Sequence, residues 1–312
     1  MDLAQALLGG NRRALAQALT LVESGGPQAR ALLGALFAHT GRAHIIGVTG
    51  APGAGKSTLV AALAAHWRRA GRTVGIIAVD PTSPFTRGAI LGDRIRMQAL
   101  SGDPGTFIRS MASRGRLGGI ARATGDAVAL LDAAGFDIIL VETVGAGQGE
   151  VEIAAAAHTT IVIETPGAGD DVQAIKAGIL EIADLLVVNK ADREGADQTV
   201  RHLRTMLSLS DLPADGWTPP VLTAVATRSE GIEAIAAAVE RHLVYLRESG
   251  RFVGREQERA ERELRLILQE TVLERARARV AVSEWDALVA RIAARTLDPY
   301  AAADQLLDRM MA

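Results

Sequence analysis

Between Gly50 and Ser57 the chain reads Gly-Ala-Pro-Gly-Ala-Gly-Lys-Ser, a Gly-x-x-x-x-Gly-Lys-Ser spacing set between two apolar runs. Ile45 to Val48 leads in and predicts a buried strand; Thr58 to Arg69 leads out and predicts a helix. A glycine-rich turn that joins a strand to a helix N-terminus is a phosphate-binding loop. Its glycines let the backbone curl until successive N–H groups point at phosphate oxygens, and the helix dipole adds positive potential at the same place. Gly50, Ala51, Pro52, Gly53, Ala54, Gly55, Lys56, Ser57 and Thr58 are therefore the expected cradle. Lys56 is placed to reach the β- and γ-phosphates, and the Ser57 hydroxyl suits Mg²⁺.

From 43 to about 245, strand-like and helix-like patterns alternate. The strand candidates are 44–48, 74–80, 136–142, 160–164, 184–189 and 220–225. Their near-continuous Ile, Val and Leu content fits strands covered on both faces. The expected fold is α/β: a P-loop NTPase with a mostly parallel sheet, helices on both faces, and helical N- and C-terminal extensions. The expected divisions are a helical extension over 1–42, the nucleotide domain over 43–245 and a helical arm over 246–312. In the extension, Leu3, Leu7, Leu8, Ala14 and Leu19 suit amphipathic turns, broken near Gly25-Gly26-Pro27 before a second helix through Leu32, Leu33 and Leu36. In the arm, Leu264, Ile267, Leu268, Thr271 and Val272 share one helix face, and Trp285, Leu288, Val289 and Ile292 share another. Leu306, Leu307 and Met310 mark a third helix. Such stripes either self-associate or pack back on the core.

Ligands of parallel sheets sit at the carboxyl ends of strands, and the polar motifs fall there. Asp80 ends the second strand and either holds Mg²⁺, directly or through water, or forms an Asp-Pro turn. Asp93 follows Gly92 in Arg87–Met97, a switch-like position. The stretch 105–125 is rich in Gly and Arg and reads as a loop that closes over the nucleotide, faces a partner or is solvated. Glu142 closes the strand FDIILVET and Gly145 follows, a Walker-B-like arrangement. The carboxylate supports Mg²⁺, the Gly145 N–H is placed to sense a γ-phosphate, and loss of that phosphate releases the loop. Gln148 lies three residues past Gly145, not at the adjacent position where Ras-type enzymes keep a water-positioning Gln. In 165–178, Asp170, Asp171, Gln173 and Lys176 form a further polar loop running into a helix.

Asn189-Lys190-Ala191-Asp192 closes the fifth strand, about 130 residues after the phosphate loop. In such a pattern the Asp192 carboxylate accepts hydrogen bonds from guanine N1–H and the 2-amino group. Adenine offers no such pair and would leave the carboxylate unsatisfied, so the pattern selects GTP over ATP. Lys190 can lie along the base plane. Val225, Ala226 and Thr227, after the last strand, are expected to offer backbone N–H groups to the guanine carbonyl.

A formal net charge of −2 argues against a general nucleic-acid or anionic-membrane surface, and 3% aromatic content argues against a base-stacking platform. With no Cys there is no disulfide and no thiolate metal site. No apolar run reaches the ~18 residues a membrane span needs, and no secretion signal opens the chain; a soluble, cytoplasmic protein is expected. Of 34 basic residues only Lys56, Lys176 and Lys190 are lysine. Where Arg serves almost every cationic position, Lys should persist where a compact ammonium is needed and a wide guanidinium will not fit. Two of the three stand in nucleotide motifs, which makes Lys176 a functional candidate.

Together GAPGAGKST, VDPTS, ILGD, FIRS, SRGRLGG, ETVGAGQ, TPGAGDDVQAIKAGI and NKAD resemble the MeaB/ArgK-type P-loop GTPases, the group that includes the MMAA-like, methylmalonyl-CoA mutase-associated chaperones. The match runs from about 45 to 232. The resemblance implies a GTP-binding and hydrolysing chaperone of an adenosylcobalamin-dependent acyl-CoA mutase, gating cofactor loading and protecting or reactivating the mutase. It implies GTP or GDP and Mg²⁺ as ligands, with Ser57, Asp80, Asp93 and Glu142 around the metal. It implies switches over 142–150 and 165–180, the second including Lys176, and a homodimer through the C-terminal helices. Hydrolysis would then involve Lys56, Glu142, Lys176 and Gln148, with a slow basal rate that a partner stimulates. The chain departs from the family where Thr223–Thr227 reads TAVAT in place of a Ser-Ala pair, where Arg87-Gly88-Ala89 replaces GGS, and at Ser110-Met111. Two other readings are a transport-linked kinase of a periplasmic amino-acid-binding protein and a nickel metallochaperone GTPase. The last calls for Cys/His clusters, and the six His of this chain are scattered.

Overall fold

The computed structural model describes residues 2–80, 100, 102–112, 119–143, 149–167, 181–209 and 216–311. Seven parallel strands form one sheet: β1 (His44–Gly50), β2 (Val74–Asp80), β3 (Thr106–Ala112), β4 (Ile138–Thr143), β5 (Thr159–Glu164), β6 (Leu185–Asn189) and β7 (Val221–Ala224). Their order is β3-β2-β4-β1-β5-β6-β7. β1 is therefore central, with Val48 beside Glu142 of β4 and Ile161 of β5. The helices are α1 (Leu3–Leu8), α2 (Arg12–Ser24), α3 (Pro27–Leu36), α4 (Lys56–Arg69), α5 (Gly119–Ala133), α6 (Gly149–Ala156), α7 (Ala196–Leu209), α8 (Ile232–Glu248), α9 (Arg251–Arg279), α10 (Val282–Ala293) and α11 (Pro299–Met311). This is the expected P-loop α/β architecture with helical extensions.

Both faces of the sheet are covered, which is why its strands read as continuous apolar runs. Ile45, Ile77, Ile139 and Val141 pack with Leu7, Leu15, Leu19, Val22 and Leu36 of the N-terminal helices and Leu130 and Leu131 of α5. Ile46, Val48, Ile76, Leu140, Ile161 and Ile163 turn to the other face, against Leu59, Leu63 and Trp67 of α4 and Ile235 and Val239 of α8. Val162, Leu186 and Val188 pack with Val200, Leu203 and Leu207 of α7. Asn11 fixes the start of α2, its Oδ1 accepting from the N–H groups of Arg13 and Ala14 at 3.0 and 3.1 Å.

The reading of 105–125 as a loop is corrected: Thr106–Ala112 is an edge strand beside β2, and α5 starts at Gly119. Phe107 and Met111 are buried, while Arg109 points to a different partner, gripping Glu23 of α2 at 2.8 and 2.7 Å. Arg12 donates to the Pro104 and Thr106 carbonyls, both at 2.6 Å, and lies over the Phe107 ring. Arg109, from the stretch read as a loop, instead lies on the edge strand and pairs with α2.

The amino ends of the strands close over a buried polar network. The Thr159 hydroxyl lies 2.8 Å from His44 Nε2 and 2.9 Å from His242 Nδ1, and His242 Nε2 faces Asp184 at 3.3 Å. One hydroxyl proton cannot serve two ring nitrogens, so at least one ring donates to Thr159. Arg255, in the first turns of α9, holds Asp184 at 2.9 and 2.7 Å and the His158 carbonyl at 2.5 Å. Burial pushes the Asp184 carboxyl up, but hydrogen bonds from His242 and Arg255 outweigh it and hold it below the usual carboxylate range. Desolvation pushes His44 down to about 3 and lowers His158, although a hydrogen bond to Glu256 opposes the shift at His158.

The chain divides into two compact units, Met1–Arg259 and Ala260–Ala312, the division falling within α9. In the second unit Leu288 and Ala302 are buried and Arg277 lies over the Trp285 ring, while Leu264, Leu268, Leu273 and Val289 are exposed. Among the described residues no helix is long and apolar enough to cross a membrane.

Candidate functional site

The order of strands reverses at β1: β4 and β2 lie on one side, β5, β6 and β7 on the other. A reversal of this kind opens a crevice at the carboxyl ends of the strands, and the loop leaving β1 runs there. Gly50 closes β1 with φ 140° and pairs with Ile163 of β5. Ala51, Pro52 and Gly53 are exposed, Ala54 is buried, and Gly55 caps α4 in the left-handed region at φ 93°. No side chain caps that helix start and no acid stands in its first turn. Its N–H groups and positive dipole end thus suit an anion. Ser57 is buried and Thr58 half-buried on the first turn.

Two lysines grip the same loop. Lys56 Nζ donates to the Gly50 carbonyl at 2.7 Å and the Ala51 carbonyl at 3.1 Å, and Lys190 Nζ donates to the Gly53 carbonyl at 2.6 Å. Asn189 is buried, and both ends of its side-chain amide are engaged. Its Nδ2 donates to the Ala54 carbonyl at 2.8 Å and its Oδ1 accepts from the Ala226 N–H at 3.2 Å. One side-chain amide thereby joins the phosphate loop, the end of β6 and the segment after β7. Lys190 adopts φ 58°, which turns the chain so that Asp192 emerges exposed.

The segment expected to face a base carbonyl is engaged elsewhere at two positions. The Ala226 N–H serves Asn189, and the Val225 N–H donates to the Glu230 carbonyl at 3.1 Å; Thr227 is exposed. Arg228 stands in no nucleotide motif, yet its Nη1 lies 3.5 Å from Asp192 Oδ2. An Arg two residues before Glu230 was the available signal. Glu164, likewise outside any motif, is a buried acid closing β5, as Glu142 is a buried acid one residue before the end of β4.

Glu142 is fully buried at the end of β4, between Val48 of β1 and Ala78 of β2. Its neighbour Thr143 meets Thr49 hydroxyl to hydroxyl at 3.3 Å. Asp80 ends β2 in register with Ala112. Among the described residues no three His, Cys, Asp or Glu side chains form a metal-ready cluster. Mg²⁺ needs none, since one or two carboxylates with phosphate oxygens and water suffice, and the Ser57 and Glu142 oxygens are the hard donors it takes. Asp93, Gly145, Gln148 and Lys176 lie outside the described residues.

A family model described as methylmalonyl Co-A mutase-associated GTPase MeaB matches residues 15–281. A Pyrococcus horikoshii protein named as a GTPase is 48% identical over 312 residues, spanning 99% of this chain and 98% of its own. The mitochondrial methylmalonic aciduria type A homolog of Caenorhabditis briggsae is 36% identical over 270 residues, 81% of this chain and 66% of that protein. A crystal structure of a LAO/AO transport system kinase superposes with TM-score 0.72 at 31% identity, covering 99% of this chain and 97% of the other. With the phosphate loop, the Asn189–Asp192 strand end and a match over 15–281, the chain belongs to the MeaB family of GTPases.

Proposed function

We propose that this protein binds and hydrolyses GTP and uses its nucleotide state to serve as chaperone to an adenosylcobalamin-dependent acyl-CoA mutase. The observation that carries the nucleotide half is the convergence of Lys56, Lys190 and Asn189 on one loop, Gly50 to Ala54. What supports the mutase half is the family description and the methylmalonic aciduria type A relative.

In this reading the loop amides and Lys56 hold the phosphates, and Asp192 reads the guanine edge. Ser57, Glu142, Asp80 and Asp93 would hold Mg²⁺, which when bound neutralises charge on the β- and γ-oxygens. The switches would follow Glu142 and Glu164, with Gly145 reporting the γ-phosphate. Gln148 and Lys176 belong to those segments. Basal turnover would be slow, because Gln148 is offset from the Ras-type position. The mutase would order the switches and speed the reaction. The exposed Leu264, Leu268 and Leu273 suit a homodimer through the C-terminal helices. Cytoplasmic location fits this role.

Calorimetry with Mg²⁺ tests the first half: GDP and GTP should bind and ATP should not. Turnover with and without a candidate mutase tests the second. An unchanged rate together with no complex on gel filtration would remove the chaperone reading. The alternative of a transport-linked kinase has one observation in its favour, the name of the solved relative. It requires a phosphorylated binding protein as product, and labelled γ-phosphate appearing only as free phosphate would exclude it.

A further inference from the structure

We infer that Arg228 is the positioning residue for Asp192: gripped by Glu230, it holds the Asp192 carboxylate in the orientation that meets a guanine edge. The inference rests on the guanine reading above and deepens it.

The guanidinium is fixed before it reaches Asp192. Its Nε donates to Glu230 Oε1 at 2.7 Å and its Nη2 to Glu230 Oε2 at 3.2 Å, a two-point grip that sets its plane. Nη1 is not part of that grip, and it is the nitrogen 3.5 Å from Asp192 Oδ2. The backbone beneath is a closed turn. The Val225 N–H donates to the Glu230 carbonyl at 3.1 Å, the Glu230 N–H returns to the Val225 carbonyl at 3.3 Å, and the Arg228 N–H bonds the Val225 carbonyl at 2.9 Å. The Asp192 side is pinned as well, by the Ala191 N–H on the Ala224 carbonyl and the Arg193 N–H on the Lys190 carbonyl, both 3.0 Å.

An ionised carboxylate has two oxygens and about four lone-pair positions. Guanine N1–H and the 2-amino group take one on each oxygen, which leaves a position on Oδ2 for Arg228. A lone exposed ion pair is worth little, because two mobile side chains lose freedom in forming it. Here the Glu230 grip has already removed that freedom from Arg228. A carboxylate held at the right angle pairs with both guanine donors; one free to rotate keeps only the N1–H contact that hypoxanthine also offers.

The test is calorimetric affinity for GDP and IDP, with Mg²⁺, in the full chain and in Arg228→Ala, Arg228→Lys, Asp192→Ala and the Arg228→Ala/Asp192→Ala double variant. Matched thermal melts verify folding. Arg228→Ala should weaken GDP about threefold and IDP less, so that the GDP-over-IDP preference falls. Arg228→Lys should recover part of that preference, and Arg228→Ala should add nothing in the Asp192→Ala background. An unchanged GDP-over-IDP ratio in Arg228→Ala, or an equal loss with and without Asp192, overturns the inference. If Asp192→Ala itself keeps full preference for GDP over ADP, the guanine reading falls and takes this inference with it.

Discussion

Asn189 donates its buried amide to the Ala54 carbonyl at 2.8 Å, so the strand end that carries Asp192 is fastened to the loop that carries Lys56. Asn189→Asp replaces that donor with an oxygen facing a carbonyl and adds a buried charge. It should cost about 3 kcal/mol or more of stability, against about 2 kcal/mol for Asn189→Ala, which leaves the Ala54 carbonyl and the Ala226 N–H without that partner. Urea denaturation measures both, and GDP affinity should fall in the same order. Equal losses for Ala and Asp would mean that the fastening contributes nothing beyond packing.

Two glycines of the loop should respond differently to alanine. A Cβ on Gly50, at φ 140°, would meet the backbone carbonyl of Ile163 in the neighbouring strand. That carbonyl cannot move aside without breaking the β1–β5 register, so Gly50→Ala should cost about 3 kcal/mol and abolish GDP binding. A Cβ on Gly53, at φ 77°, meets nothing within 4 Å. Gly53→Ala carries only the left-handed strain of about 1 kcal/mol. Melting temperatures of the two variants should separate in that order.

The strands were legible where both faces are covered, because Ile45 to Val48 and Leu185 to Val188 leave no polar position to obscure the run. The loop was legible because Gly50, Gly55 and Lys56 stand at a spacing few other structures require. Lys56 and Lys190 were legible from their motifs, and both donate to loop carbonyls; lysine scarcity pointed to Lys176, which lies outside the described residues. β3 was not legible. It buries Phe107 and Met111 but spends Arg109 on Glu23, a long-range pairing that local composition does not reveal. The amino-end network was hidden for the same reason. His44, His158, Asp184, His242 and Arg255 are scattered along the chain and meet only when the strands align.

Acid should unfold the protein through its histidines before its carboxylates. The His44 pKa falls from 6.5 to about 3 because burial strips its water, and the nearby His158, His242, Arg247 and Arg72 add to the effect. His158 is lowered as well, first by desolvation. A histidine whose folded pKa lies below its unfolded value binds more protons unfolded, so its contribution is complete above about pH 6.5 and declines as pH falls toward 3. Urea midpoints should thus be level from pH 9 to about pH 7 and then drop. His44→Gln keeps a hydrogen-bonding side chain beside Thr159 without a titrating ring. It should flatten the slope by up to about 1.4 kcal/mol per pH unit, the value for one proton. A slope identical to that of the parent would show that His44 is not the group responsible.

Arg255 and Asp184 give the last prediction, because they join the start of α9 to the foot of β6. Arg255→Ala leaves Asp184, its side chain 9% exposed, with the Thr160 N–H and the His242 ring as its remaining partners. Losing one member of a buried pair costs about 3 kcal/mol or more. The penalty should itself depend on pH. With Arg255 present the Asp184 carboxyl is held low despite its burial, so the charged form stabilises the fold above about 3.8 and that stability is lost as pH falls through the folded value. Without Arg255 less is left to oppose burial, so the carboxyl moves upward and the folded state takes up a proton more readily than the parent does. The difference between parent and variant should be largest near pH 8 and shrink toward pH 5. Paired urea titrations at the two pH values read this directly. A penalty of the same size at both would mean that Arg255 acts through packing and its bond to the His158 carbonyl, with no part played by the charge on Asp184.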